Sequence, residues 1–525
     1  MTAFPPGVLD ALAEQQRALP PSPAREASLE ALARGACSLV ATGQQVGLFL
    51  GPLYSFYKAA TAVRLAQRVS GAGGQRCAPL FWMASEDHDI AEVDHCFAAD
   101  PDEPLPRRLA LYQRQADVPD DDSDRVCVGQ RVLGPSVQRC LDELAESLQG
   151  LPHAEQTMAL FGGAYRPERT FAEAFAQVLG ALFAEQGLLV FDPRDLRVAA
   201  AAAPHVAVCI ERAAEIAEAL SQRADELVRD GARAPVHVRP GAPLCFYHPR
   251  GPNGPRYRLE PAGEGYYTLV GAEGAAPLAR AELLEALARD PLCFSSSALL
   301  RPVLQDALLP VSHVVGGPSE VDYLAQLPPL YAALDVTASE VVRRHGFRLI
   351  STEVATALGL LELDAATLCE ASDEALEAHL AQLASRRAAR ESDHGDQALV
   401  TPQTLELELL AGFEARLDRL ERDLTRTGEP LEPALRSGID KTRASVTRSV
   451  SKLVSRYRRV LAAEDAVARS RLARARDELM PTGVPQERLL SLPYFMARYG
   501  IDELRDRVLA AIDDPRAGQT VDLVL

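Results

Sequence analysis

Three groups of residues have the types and spacing that chemistry on a charged substrate requires. The first is the segment Thr42 to Lys58, T-G-Q-Q-V-G-L-F-L-G-P-L-Y-S-F-Y-K. Gly43, Gly47 and Gly51 allow close backbone approach, and a helix predicted to begin near Pro52 offers unpaired N–H groups and the positive end of its dipole to an anion. Tyr54 and Lys58 are four apart and share one helical face, and Gln44 and Gln45 add amide donors ahead of it. An ordinary strand-to-helix turn with a surface lysine carries the same G-x-x-x-G spacing, and neither the P-loop nor the G-x-G-x-x-G fingerprint is present.

The second group is Glu86-Asp87-His88-Asp89, with Asp94, His95 and Cys96 close behind. Carboxylates beside an imidazole can tune it as a general acid or base. The string matches no metal-ligand spacing such as H-E-x-x-H, so no metal ligands are assigned, and a solvated loop would read the same way. The third group places Arg301, Gln305 and Asp306 on one helix, followed by His313, the turn Gly316-Gly317-Pro318-Ser319-Glu320, and Tyr323. Arg301 and Gln305 are four apart and face one way. A guanidinium suits a carboxylate or phosphate in a bidentate pair. Gly316 and Gly317 again lead into a helix N-terminus.

Elements that could hold these groups together follow from the apolar periodicity. A short apolar run from Cys37 to Ala41 precedes the first group, and the helix after Pro52 extends to about Val69. Ala78 to Ala84 forms a buried strand that delivers the acidic string at its C-terminal end, where open α/β sheets place chemistry. A helix from about Pro167 to Gln186 feeds a strand at Leu188 to Phe191. A later unit runs from Phe294 through Ser295, Ser296 and Ser297 and a helix near Pro302 to a strand at His313 to Val315. Strands alternating with helices predict an α/β fold with a parallel, doubly wound sheet.

Residues 1–100, 166–229 and 291–365 are assigned to that core, interrupted by insertions at 101–165 and 230–290. Residues 366–480 read as helical, with 481–525 returning to the core. Leu410, Phe413, Leu417, Leu420 and Leu424 follow a coiled-coil spacing, and Ile439, Val446, Leu453, Val460 and Val467 recur at sevens. The acidic first helix and basic second helix, joined at Thr427-Gly428-Glu429-Pro430, predict an antiparallel hairpin whose charges pair with each other or with a twin.

Bulk composition narrows the function classes. A chain of 525 residues, 47% hydrophobic and 24% charged, has the makeup of a folded multi-unit protein. Its formal net charge of -18 disfavours a nucleic-acid partner. Nine scattered cysteines without C-x-x-C spacing predict reduced thiols in a cytoplasmic protein, and no apolar run reaches the length of a membrane span. The opening M-T-A-F-P-P lacks the pattern of a secretory signal.

Taken in order, Thr42 to Lys58, P-L-F-W-M-A-S-E-D-H-D-I-A-E-V-D-H (Pro79 to His95), L-L-R-P-V-L-Q-D (Leu299 to Asp306), H-V-V-G-G-P-S-E-V-D-Y (His313 to Tyr323) and P-Q-E-R (Pro485 to Arg488) resemble the cysteine-adding enzymes of bacillithiol biosynthesis, the BshC family. The serine-rich Phe294 to Ala298 departs from the family pattern. The resemblance implies a Rossmann-like core related to nucleotidyl transferases and class I synthetases, two connecting-peptide insertions, and a coiled coil that forms a homodimer. It implies addition of cysteine to glucosaminyl-malate. A carboxylate is an anion with a poor leaving group, so an acyl phosphate or acyl adenylate is expected, and with it ATP or another nucleotide, with Mg as an accompanying ion. On this reading Lys58 and Arg301 stabilise anionic charge, and His88 with Asp89 transfers protons. Gln44, Gln45, Tyr54, Glu86, Gln305, Asp306, His313, Glu320 and Tyr323 contact substrate, and Gly43, Gly47, Gly51, Gly316 and Gly317 approach the nucleotide. A nucleotidyl transferase on a small phosphorylated substrate and a non-catalytic dimeric scaffold are the rival expectations.

Overall fold

Cys37–Gln44 (β1) and Arg76–Met83 (β2) are buried along nearly their whole length. Strands reach that state only when both sheet faces are covered. A computed structural model, which describes residues 4–73, 76–99, 105–111, 122–391, 401–425 and 432–525, shows how. With Leu189–Phe191 (β3), Val311–Gly316 (β4) and Glu340–Arg343 (β5), they form a five-stranded sheet in the order β5-β4-β1-β2-β3. Its pairings are parallel, with Thr42 opposite Val315 on one side and Phe81 on the other.

Helix α1 (Tyr54–Gly73) covers one face, where Ala62, Leu65 and Ala66 pack on Val40, Val315 and Val342. The other face carries Leu39, Ala41, Leu80 and Trp82, which join Val198, Ala202 and Val206 of the helix Leu196–Glu211 in the largest apolar core. Successive strands run outward from β1 in both directions, so β1 and β4 flank the point where the chain reverses its winding. Crevices at the C-terminal ends of such strands are where ligands bind.

The helix after the first glycine turn begins at Tyr54 and not at Pro52. Pro52 instead bridges to Ser491, and Leu53 donates to the Leu490 carbonyl. Phe294–Ser296 also departs from the expected alternation. It pairs antiparallel with Cys245–Tyr247 at the edge of a second five-stranded sheet, whose other strands are Tyr257–Pro261, Tyr266–Leu269 and Leu278–Ala279. Helix α2 (Leu300–Leu308) then returns the chain to β4, and α3 (Pro318–Leu324) follows it.

The chain divides into two units, Met1–Arg348 with Gln486–Leu523, and Leu349–Pro485 with Val524–Leu525. The second is helical and contains α4 (Pro402–Leu424) and α5 (Pro433–Glu464). The expected turn Thr427 to Pro430 lies outside the described residues. Arg443 pairs with Glu414 at 3.0 Å and Asp418 at 3.4 Å, and Arg458 pairs with Glu406 at 3.0 Å, so the basic and acidic helices face each other. The sevenfold apolar repeat is not one buried seam. Leu417, Ile439 and Val454 are buried while Leu453 and Val460 are exposed, and Val467 falls in the following helix, Ala466–Leu479.

Candidate active site at the sheet switch point

Three strand ends and the segment 236–258 enclose a cavity of about 680 Å³. From β1 come Gly43, Gln44 and Gln45; from the end of β2, Glu86, Asp87 and His88; from α1, Tyr54 and Lys58; from α2, Arg301; and after β4, Gly317, Glu320 and Tyr323. All of these belong to the first unit.

Lys58 is buried at 2% exposure and its ammonium is saturated: it donates to the Gly43 carbonyl at 2.7 Å and Gln44 Oε1 at 2.7 Å, and pairs with Glu320. Burial lowers the lysine pKa, with Glu320 opposing. Burial also works to raise the Glu320 carboxyl, but Lys58 and Arg301 outweigh it and hold that pKa below the ordinary carboxylate value. Three acceptors, the Gly43 carbonyl, Gln44 Oε1 and the Glu320 carboxylate, surround the amine, which matches the three N–H donors of an ammonium. Glu320 further accepts from Gly317 N at 2.8 Å and lies 3.9 Å from Arg301, whose guanidinium donates to the Tyr323 hydroxyl at 2.9 Å.

Across the cavity Gln45 donates to Asp87 at 2.5 Å and to Glu92 at 2.6 Å. Burial works to raise the Asp87 carboxyl, but His88, Arg256 and Gln45 hold it well below the usual range. His88 Nδ1 is buried without a hydrogen-bond partner, 3.7 Å from Asp87 Oδ1, and its ring lies 6.0 Å from that of Phe246. Glu86 Oε2 accepts from Ser296 N at 3.0 Å and Ser296 Oγ at 2.5 Å.

Not every expected residue reaches the cavity. Asp89 is exposed and caps the short helix Ile90–Val93 through Ala91 N at 3.1 Å, so the carboxylate beside His88 is Asp87. Gln305 shares a face with Arg301 but sits a helical turn deeper, beside Asp306. Asp306 is consumed by Tyr331 at 2.8 Å and Ser339 N at 2.9 Å. His313 lies within β4 between Ser312 at 2.9 Å and Arg516 at 2.9 Å.

Gly47 and Gly51 shape a turn away from the cavity wall. Phe49 and Leu50 adopt φ of 49° and 71° there, and Gly51 of 65°. A Cβ on Gly47 would come 3.0 Å from Gly51 Cα. Tyr165 fixes this left-handed run by donating to the Gly47 carbonyl at 2.9 Å and accepting from Leu50 N at 3.1 Å. Gly316 closes β4 without lining the cavity.

Other wall residues had no sequence signal of their own. Arg344, on the segment after β5, is held bidentately by Glu487 at 2.9 and 2.7 Å. Arg488 follows it in the P-Q-E-R motif, which was visible only as part of an ordered set. Residues 236–258 contribute Arg239, Arg256, Arg258 and Phe246, with the Arg256 guanidinium 3.7 Å over the Phe246 ring. Among the described residues, seven cationic side chains (Lys58, Arg239, Arg256, Arg258, Arg301, Arg344, Arg488) and three carboxylates (Glu86, Asp87, Glu320) line the cavity, and just behind them Glu260 pairs with Arg239 and Arg258 and Glu487 with Arg344, so seven cations meet five carboxylates. In a chain of net charge -18 even that small local excess is unusual, and its field favours negative charge. Among the described residues no group of three or more His, Cys, Asp or Glu is arranged to hold a metal ion.

Comparison with known proteins agrees with this layout. Residues 6–345 match "Bacillithiol biosynthesis BshC, N-terminal Rossmann-like domain", and residues 367–521 match "Bacillithiol biosynthesis BshC, C-terminal coiled-coil domain". A relative from Koribacter versatilis named "Putative cysteine ligase BshC" is 32% identical, covering 93% of this chain and 85% of its own length. Relatives with the same name from Solibacter usitatus and Geobacillus thermodenitrificans are 31% and 27% identical. They cover 92% and 98% of this chain, and 83% and 89% of their own lengths.

Proposed function

Because this chain belongs to the BshC family of bacillithiol biosynthesis, we propose that it is a ligase that joins L-cysteine to the amino group of glucosaminyl-malate through an amide bond. The observation that carries this reading is the cavity at the β1/β4 switch point, lined by more cations than carboxylates and by the His88 imidazole. Cysteine and glucosaminyl-malate both bear carboxylates, and the cavity matches that charge.

The residues fit an anionic activating group as well. A Cβ at Gly43 would come 2.6 Å from the Trp82 carbonyl, and one at Gly317 would lie 3.3 Å from Glu320 Oε2 and 3.7 Å from Arg344 Nε, so glycine keeps the backbone open beside the cations. Arg301, Arg344 and Arg488 would hold the phosphates of ATP or another nucleotide, with Mg carried on those phosphates. The nucleotide would supply the leaving group that a carboxylate lacks.

Within that arrangement Arg301 stabilises negative charge developing at the carbonyl oxygen, and Lys58, whose three N–H groups are engaged by Gly43, Gln44 and Glu320, contributes through its field and not by a hydrogen bond. His88 accepts the proton released by the attacking amine at Nε2, because its Nδ1 is buried 3.7 Å from Asp87 Oδ1. Gln44, Gln45, Tyr54 and Tyr323 orient the substrates. A homodimer through the helical unit belongs to the same reading. Leu420 and Leu424 on α4 and Leu453 and Val460 on α5 are 48%, 42%, 55% and 50% exposed, apolar side chains that a second copy would cover. The cytoplasm is the compartment that suits nine free cysteines.

Incubation of the purified protein with glucosaminyl-malate, cysteine and ATP, followed by mass spectrometry, tests the proposal. The expected result is the ligated thiol together with spent nucleotide. Absence of the thiol product, with and without cell extract, overturns it.

A further inference from the structure

The three cavity carboxylates are not equivalent. Glu320 is neutralised by Lys58 and Arg301, and Asp87 is held by Gln45 and lies near His88 and Arg256. Glu86 differs. Its Oε2 is bound only by the neutral Ser296 N–H and O–H, and its Oε1 accepts no hydrogen bond from any described residue. Arg256 binds the main-chain carbonyl of Glu86, but no cationic side chain among the described residues ion-pairs with its carboxylate, which leaves that carboxylate for a positive group of a ligand.

Glu86, Trp82 and Ser296 also line a second, smaller chamber of about 30 Å³. Its remaining walls are mostly apolar and include Val198, Ala202, Val206, Leu304 and Leu308; the one cation among its described residues, Arg194, is turned to the carbonyls of Leu292, Phe294 and Pro252. A water-sized group needs about 10–15 Å³ by this measure, so the chamber takes about two such groups, the size of –CH2–SH. On the shared wall Trp82 is 2% exposed, and its indole Nε1 is buried with no hydrogen-bond partner. The Ser295 hydroxyl there is occupied by His248, 3.0 Å away.

We propose that this wall is the amino-acid subsite: Glu86 Oε1 binds the cysteine ammonium, Trp82 Nε1 donates to its carboxylate, and the small apolar chamber receives its thiol side chain. The inference rests on the ligase reading and deepens it. Three separate contacts around one α-carbon discriminate between enantiomers. The chamber excludes side chains longer than cysteine. An ammonium held against a carboxylate also keeps its proton and has no lone pair to offer, so cysteine does not compete with the amino sugar as nucleophile. The acceptor amine must then be the one delivered beside His88.

Calorimetric titration of the full-length protein tests the assignment, with L-cysteine, L-homocysteine, 3-mercaptopropionate and glycine as probes, each with and without ATP. Wild type is expected to prefer cysteine over 3-mercaptopropionate, which lacks the ammonium, and over homocysteine, which is one methylene longer. Glu86→Gln is expected to weaken cysteine about tenfold or more while leaving 3-mercaptopropionate unchanged. Ala202→Val, which fills the chamber, weakens cysteine but not glycine. If Glu86→Gln binds cysteine as wild type does, the subsite is wrong and the ligase reading stands. If wild type binds no cysteine under either condition, the ligase reading fails and the subsite with it.

Discussion

Opposite charges meet in both units of the chain, under different conditions. In the cavity Lys58 pairs with Glu320 at side-chain exposures of 3% and 23%, and Arg344 pairs with Glu487 at 5% and 20%. In the helical unit Arg443 pairs with Glu414 and Asp418 at exposures of 37%, 40% and 59%. Water screens the second set, so each pair contributes little and the helices depend on packing. The first set has been taken out of water, and each charge there depends on its partner. A buried pair therefore serves to hold charge in a fixed place for a ligand, whereas the helical pairs choose which faces meet.

The largest effect follows from removing one buried charge. Lys58→Met leaves Glu320 buried without its partner and should cost about 3–5 kcal/mol of stability in chemical denaturation. Ligation should fall to background even under conditions where the variant is folded. Retention of both would place the Lys58 pair with the screened ones.

Glu487→Gln keeps the shape around Arg344 but removes the charge that fixes it. A loss of about 1.5–3 kcal/mol is expected, with kcat/KM reduced about tenfold and KM carrying much of the change. An unchanged KM would show that Arg344 does not contact substrate.

Acid should reveal a third contribution. Burial, with Arg194 adding to it, depresses the His248 pKa to about 3. The imidazole hydrogen-bonds the Gly254 carbonyl at 3.0 Å and the Ser295 hydroxyl at 3.0 Å. The unfolded chain binds a proton at this histidine below about pH 6.5 and the folded chain does not. Its contribution is thus complete above that pH and is lost as the pH falls toward about 3, by at most about 1.4 kcal/mol per unit. His248→Gln should flatten the pH dependence of unfolding in that window. Identical slopes in the two proteins would contradict the assignment.

Arg443→Ala should be the mildest change, under about 1 kcal/mol and smaller still in high salt. A larger, salt-insensitive loss would mean that this pair is shielded, as the cavity pairs are.

Much of the core could be read directly. The continuous apolar runs Cys37 to Ala41 and Ala78 to Ala84 fall in β1 and β2, and acidic residues at the end of β2 marked the crevice, because a buried strand that ends in charge has to surface there. Lys58 and Tyr54 reached the cavity since a four-residue spacing fixes a shared helical face. The same rule gave the direction of Gln305 but not its depth, and could not show that Asp306 is already bound by Tyr331. Asp89 and Asp87 look alike in sequence; only the helix cap separates them.

By itself the sequence determined the four core strands β1 to β4 and the long helices, since these depend on periodicity and on neighbours a few residues away, but not the second sheet or β5. It also determined the family, through several motifs kept in order. The tertiary structure decided which charges are buried and which carboxylate stands without a cationic partner. Arg344 meets Glu487 across 143 residues, and Glu86 meets Ser296 across 210. Burial and pairing depend on what the fold brings alongside from far along the chain, and local spacing carries no record of that.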